Sequence, residues 1–165
     1  MSIRLSFTFA RFLALTLLCT VSNAVLAYET TITLEGKNTS GQPVEVILTR
    51  SQIEQLPQST LTTHLPWFKG QAEFQGVKLK TLLETYQLKS SQITMGALND
   101  YSATVSWNDI DKYDPVVAIK KDGQYLRIRD YGPYWLVFSI DKYPELKQMK
   151  YLAKMVWQLE TIQAE

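Results

Sequence analysis

The chain has 165 residues, 17 basic against 16 acidic, 45% hydrophobic, with a single cysteine, Cys19. A charge balance this close to zero lacks the basic excess that nucleic-acid or anionic-lipid partners select. One cysteine also leaves no disulfide framework within the chain.

Arg4 and Arg11 precede the apolar run FLALTLLCTV, and small residues follow in SNAVLA. A basic start, a short hydrophobic segment and small residues at the end make a secretory signal peptide, and the run is too short for a membrane span. Val25-Leu26-Ala27 fits the small-x-small cleavage rule, so the mature chain is expected to begin at Tyr28 and to be periplasmic. Leu18, directly before Cys19, does not fit a lipoprotein site. Cleavage leaves 138 residues, the size of one ordinary domain, and takes the 17 basic residues to 15 against 16 acidic. It also removes Cys19, so the mature protein has no thiolate nucleophile and no sulfur ligand other than methionine.

TTITL and VEVILTR, β-branched and alternating, predict two strands joined by the turn-forming EGKNTSGQP. SQIEQLP predicts a short helix with Ser51 as N-cap and Glu54 at the capping-box position, stopped by Pro57. STLTTHL is again strand-like. In FQGVKLKTLLETYQL the chain is expected to turn at Gly76, and Leu79, Leu82, Leu83 and Tyr86 then fall at helical spacing. SQITMGA and YSATVSW predict strands on either side of Leu98-Asn99-Asp100, and NDIDKYDP a helical turn closed by Pro115. YWLVFSI and MVWQLETI predict the last two strands, joined by a partly helical YPELKQ. The sum is one β-rich α+β domain over residues 28–165, mixed sheets with two or three short helices.

PVVAIKKDGQYLRIRD carries Asp122-Gly123, a type I′ hairpin signal. A two-residue loop sets Ile119 opposite Leu126 and Val117 opposite Ile128, an apolar face that belongs in the core. The other face then holds Tyr125, Arg127 and Arg129 and leads into Asp130-Tyr131-Gly132-Pro133. Such a face is either a solvated surface with an Arg–Asp pair, worth little, or a platform of arginine forks and rings for a ligand.

Elsewhere, His64 is the only histidine; alone it builds neither a metal site nor a triad, but its ring can bond a ligand or the backbone. Trp67, after Pro66 in a predicted loop, is either a core plug or a stacking surface. Asn99, Asp100 and Tyr101 are either a self-satisfied turn or a carboxylate and amide converging on a heterocycle. Asp100 and Asp130 are a non-specific pair of acids. Phosphate loops and serine elbows are absent from the sequence.

The ordered set Trp67, Gly70, Phe74-Gln75-Gly76-Val77, Leu79, Leu82-Leu83, then Ala97-Leu98-Asn99-Asp100-Tyr101, then Asp130-Tyr131-Gly132-Pro133-Tyr134-Trp135-Leu136-Val137, then Val156-Trp157-Gln158-Leu159 resembles the sulfite-oxidase-type molybdopterin-binding fold. The resemblance runs from Thr30 to the C-terminus. It implies a mixed α+β domain with a pterin pocket in loops at the strand ends. Enzymatic members hold molybdenum through a cysteine thiolate, which this mature chain lacks. The sequence looks closer to small secreted members that bind a molybdenum-free pterin, a reduced one included, and that serve without catalysis as periplasmic sensors. Their partners resemble membrane-bound enzymes that make or degrade cyclic di-GMP. A molybdopterin-dependent oxidoreductase, or its accessory subunit, is the alternative.

For such a ligand, Trp67 or Tyr131 can stack on the ring, and Asp100 or Asp130 can accept its amino and ring N–H groups in parallel. Arg129, Asn99 or His64 can donate to its carbonyl oxygen.

Overall fold

The computed structural model describes residues 29–164; the expected leader over 1–27 lies outside them. The strands in chain order are β1 (Thr31–Lys37), β2 (Pro43–Thr49), β3 (Gln58–His64), β4 (Gln71–Lys78) and β5 (Gln92–Ala97). They continue as β6 (Ser102–Ser106), β7 (Val116–Lys121), β8 (Gln124–Tyr125), β9 (Trp135–Val137) and β10 (Leu159–Ala164). Four short α-helices join them: α1 (Arg50–Gln55), α2 (Leu79–Thr85), α3 (Trp107–Tyr113) and α4 (Met149–Leu152). The architecture is mixed and sheet-rich, in agreement with a β-rich α+β domain.

One sheet has the order β2-β1-β10-β5-β6, with β1 and β10 parallel and the other neighbours antiparallel. The other runs β3-β4-β7, and both β8 and β9 pair with β7. Period-2 patterning explains the inward faces. Ile32 and Leu34 of β1, Ile93 and Met95 of β5, and Phe74 of β4 are all fully buried. The helix α2 buries Leu79, Leu82 and Leu83 on one stripe, as their spacing predicts.

Several details differ from the sequence expectation. First, α1 is capped by Thr49, not Ser51. Thr49 Oγ1 accepts from Gln52 N at 3.3 Å and Gln52 Oε1 accepts from Thr49 N at 2.9 Å, a complete capping box. Ser51 and Glu54 form an overlapping pattern two residues later. Their side chains go elsewhere, Ser51 Oγ to Glu29 and Glu54 to Tyr125 and Lys120.

Second, the chain does not turn at Gly76. β4 continues to Lys78, and a Cβ at Gly76 would lie 2.0 Å from the Val117 carbonyl oxygen. The glycine is required by the close approach of β7, at a register shift between Gln75 and Gly76.

Third, the hairpin opens as predicted but soon ends. Asp122 and Gly123 have φ of 49° and 75°, as a type I′ turn needs, and Leu126 N donates to Ile119 O at 2.9 Å. Ile119 and Leu126 are both buried. Val117, however, pairs with Leu136 and not with Ile128, which is 49% exposed and begins a 3-10 turn over Ile128–Asp130. The edge of β7 that Ile128 would need is taken by β9. The chain is therefore diverted, and Tyr125, Arg127 and Arg129 do not share a sheet face. The last two strands are also shorter than predicted: β9 spans three residues, and β10 begins at Leu159 after Gln158 takes a φ of 51°.

Truncating Ile119 to alanine removes a side chain only 1% exposed from beneath β7. Its expected cost is about 2–5 kcal/mol in chemical denaturation. A cost under about 1 kcal/mol, below the usual range for such truncations, would show that this side chain does not belong to the core.

Candidate functional site

Two of the residues predicted from sequence, Trp67 and Tyr131, pack on one buried ring. Trp135 is fully buried, and its indole Nε1 donates to Met155 O at 3.1 Å. Tyr131 stacks on it with centroids 4.6 Å apart and an interplanar angle of 23°. Trp67, in the loop after β3, lies 5.6 Å from Trp135 and 5.3 Å from Trp157, the latter edge to face. The backbone joins the same segments, since Leu136 N donates to Val156 O at 2.9 Å.

Trp67 and Trp157 also form part of an open, largely apolar pocket with a volume of about 460 Å³. That size suits a small organic ligand. Tyr101, Met149, Leu152 and Met155 complete most of its wall, and Asn99 is its polar side chain. Tyr101 OH donates to Ala153 O at 2.8 Å, fixing its ring against the end of α4. The Asn99 side-chain oxygen accepts from Tyr101 N at 3.3 Å, and Asp100 N donates to Ala97 O at 3.1 Å. The turn is thus satisfied by its own backbone, with Asp100 at a φ of 63°. The Asn99 amide nitrogen and the Asp100 carboxylate make no hydrogen bond or ion pair among the described residues. Asp100 stands outside the lining, between two residues that belong to it.

Asp130 and Tyr131 line a second cavity of about 630 Å³ with Phe68, Lys121 and Arg127. Here the acid is already engaged. Asp130 Oδ2 accepts from Arg127 Nε at 2.7 Å and Nη2 at 2.6 Å, and Arg129 Nε lies 3.5 Å away. Asp130 N and Gly132 N both donate to Arg127 O at 2.8 Å. Arg127 and Asp130 therefore close a turn. Tyr131, at a φ of 68°, is aimed by that turn onto Trp135. Arg129 is 72% exposed and lines neither cavity.

His64, at the end of β3, lies on a third, smaller cavity of about 300 Å³ that shares Pro66 and Leu152 with the aromatic pocket. Its Nδ1 sits 2.9 and 3.1 Å from the two oxygens of Asp141. Its backbone N–H donates to Asp141 Oδ2 at 2.9 Å, and Gln71 Nε2 donates to the same oxygen at 3.1 Å. The Gln71 amide first, and the ring and backbone of His64 after it, hold the Asp141 carboxyl below its ordinary range.

Of the predicted residues, Trp67, Asn99 and Tyr101 share one pocket, Asp130 and Tyr131 another, and His64 adjoins the first. Sequence reasoning missed Trp157, Met155, Leu152 and Met149. The apolar residues at three-residue intervals in MKYLAKM are the signal that could have marked this wall. Among the described residues, no three His, Cys, Asp or Glu side chains gather as a metal site, and no helix is long and apolar enough to cross a membrane. No family model matches the chain, and no curated protein matches it. The functional reading therefore rests on the chemistry of these cavities and on the sequence resemblance.

A carboxyl whose acidity is raised by folding stabilises the fold above its unfolded value, about 3.9 for aspartate, and loses that contribution as pH falls through the folded value. Asp141→Asn is accordingly expected to lower the melting temperature at pH 7. The gap to the parent protein should narrow as the medium is acidified below about pH 4, where the unfolded chain takes up its proton first and the folded carboxylate follows at lower pH. A gap independent of pH would show that Asp141 acts through packing instead.

Proposed function

We propose that the secreted form binds a molybdenum-free pterin in the pocket walled by Trp67, Tyr101 and Trp157, and that it works as a periplasmic ligand sensor without catalysis. The observation that carries this reading is the combination of flat aromatic walls with an Asn99 amide nitrogen that makes no hydrogen bond among the described residues, next in the chain to Asp100, which stands outside the lining. A pterin has a planar bicyclic face for the indoles, a carbonyl oxygen that an amide N–H can meet, and an amino group beside a ring N–H. A carboxylate accepts such a donor pair in parallel, in charge-assisted bonds roughly twice as strong as neutral ones. Asp130 offers less, because Arg127 already occupies it.

The sulfite-oxidase-type molybdopterin-binding fold is part of the proposal, on the sequence resemblance. So is the absence of molybdenum chemistry: the sequence after residue 27 contains no cysteine to supply the thiolate that catalytic members use. The partner we propose, the periplasmic part of a membrane enzyme controlling cyclic di-GMP, is supported by that resemblance alone.

Protein purified from periplasm is expected to carry a fluorescent pterin identifiable by mass spectrometry, without stoichiometric molybdenum. In titrations followed by tryptophan fluorescence, Trp67→Ala should weaken pterin binding at least about tenfold, in line with the stacking of a heterocycle on one aromatic ring. Asp130→Asn should change affinity by less than about twofold, a difference of well under 1 kcal/mol. The reverse ranking would move the ligand to the Tyr131 cavity, and absence of any bound or binding pterin would end the reading.

A further inference from the structure

Three of the four tryptophans, Trp67, Trp135 and Trp157, pack on one another. Trp107, the first residue of α3, stands apart from them. Its ring has no aromatic or cationic neighbour among the described residues. It is half-buried against the core, and its indole N–H has no hydrogen-bond partner there, yet it is not shut away from water.

The ring lines an open cleft of about 480 Å³, formed where segment 89–92 enters β5 and segment 106–108 leaves β6. Gln92 pairs with Ser106 across the two strands, and Trp107 N donates to Ser91 O at 2.9 Å, so the two banks are tied together. Ser106 Oγ accepts from Asp109 N at 3.1 Å, which leaves its hydroxyl proton to give. Lys89, Ser90, Ser91, Gln92 and Asn108 complete the lining. The side chains of Lys89, Ser91 and Asn108 are exposed and make no hydrogen bond or ion pair among the described residues. No acid lines the cleft, and nearby Asp109 is held by Lys154 at 2.7 Å. Lys89 is thus the one charged side chain in the lining.

We propose that this cleft is a saccharide-binding site, and that it takes a sugar bearing a carboxylate. A pyranose has a face of C–H bonds, which packs on one aromatic ring, and an edge of hydroxyls that both donate and accept. A single open indole meets the face. The Ser91 and Ser106 hydroxyls and the Asn108 amide meet the edge with donors and acceptors together. A flat heterocycle is held better between two rings, and a doubly charged phosphate would leave charge unmet by one lysine. The Lys89 ammonium, with no acid beside it, favours a carboxylate sugar over its neutral counterpart through a charge-assisted bond. The cleft shares no lining residue with the three cavities described above, so the proposal is independent of the pterin reading. Filled by one ring of a longer chain, it anchors the protein to an acidic polysaccharide and leaves those cavities accessible.

The test is an NMR titration of the secreted form that follows the tryptophan indole N–H signals, with Trp107→Phe supplying the assignment. The probes are trigalacturonate and its uncharged counterpart, galactotriose. The Trp107 signal should move with both, and trigalacturonate should bind about tenfold more tightly, the effect of one charge-assisted bond. Lys89→Gln should weaken trigalacturonate about tenfold and leave galactotriose within about twofold. Asn108→Ala should weaken both sugars about threefold or more, as loss of one neutral hydrogen bond does. Both substitutions are at exposed side chains, and unmoved signals from the other three indoles report an intact fold. A Trp107 signal that stays still at about 20 mM of either sugar, enough to fill even a millimolar site, overturns the proposal. So does a Lys89→Gln variant that fails to separate the two probes, or a sugar that moves the other indoles instead.

Discussion

The region around the pocket depends on the burial of one indole. Trp135 comes from β9, in register with Ala118 on β7, so the second sheet sets its position. Its Nε1 is satisfied by Met155 O, in the segment that leads into β10 of the first sheet. One side chain thus ties β9 of the second sheet to the segment entering β10 of the first. An unbonded indole N–H in that environment would be costly, which makes the Met155 carbonyl a geometric requirement. Trp67, Tyr131 and Trp157 then pack on the same ring from three loops, in tilted, stacked and edge-on arrangements. The pocket wall is in this sense the outer layer of the core.

Much of the fold could be read locally. The alternation in β1, the leucine stripe of α2 and the Asp122-Gly123 turn each depend on residues a few positions apart, and each formed as the pattern requires. What could not be read was decided by competition. Leu126-Arg127-Ile128-Arg129 alternates as well as any strand in the chain, but β9 pairs with β7 where Ile128 would have to sit. Gly76 carries the ordinary meaning of a turn in sequence and the opposite meaning in space, where it lets two strands close up. Two capping boxes overlap at α1, and the pattern alone does not choose between them.

The site follows the same division. Trp67 stands out in sequence because a large aromatic follows a proline outside any periodic segment. The polar cluster at residues 127–131 is more ambiguous, since an arginine three residues before an aspartate can hold it locally, and here it does. The wall formed by Met149, Leu152, Met155 and Trp157 belongs to a stretch that reads partly as helix and partly as strand. Its role is set by where Trp135 fixes it. Asp141 is likewise invisible from His64, 77 residues earlier in the chain.

Gln158 shows what a single left-handed residue can do between such segments. Its side-chain amide donates to Ile128 O at 2.9 Å, its backbone N–H to Tyr131 O at 3.0 Å, and its carbonyl accepts from Leu98 N at 2.9 Å. It therefore rivets the Arg127–Asp130 turn to the Asn99 turn, two loops that border different cavities. Neither loop can swing far without carrying the other along or shearing those bonds. The two hollows are thus bordered by loops that share one fastening residue.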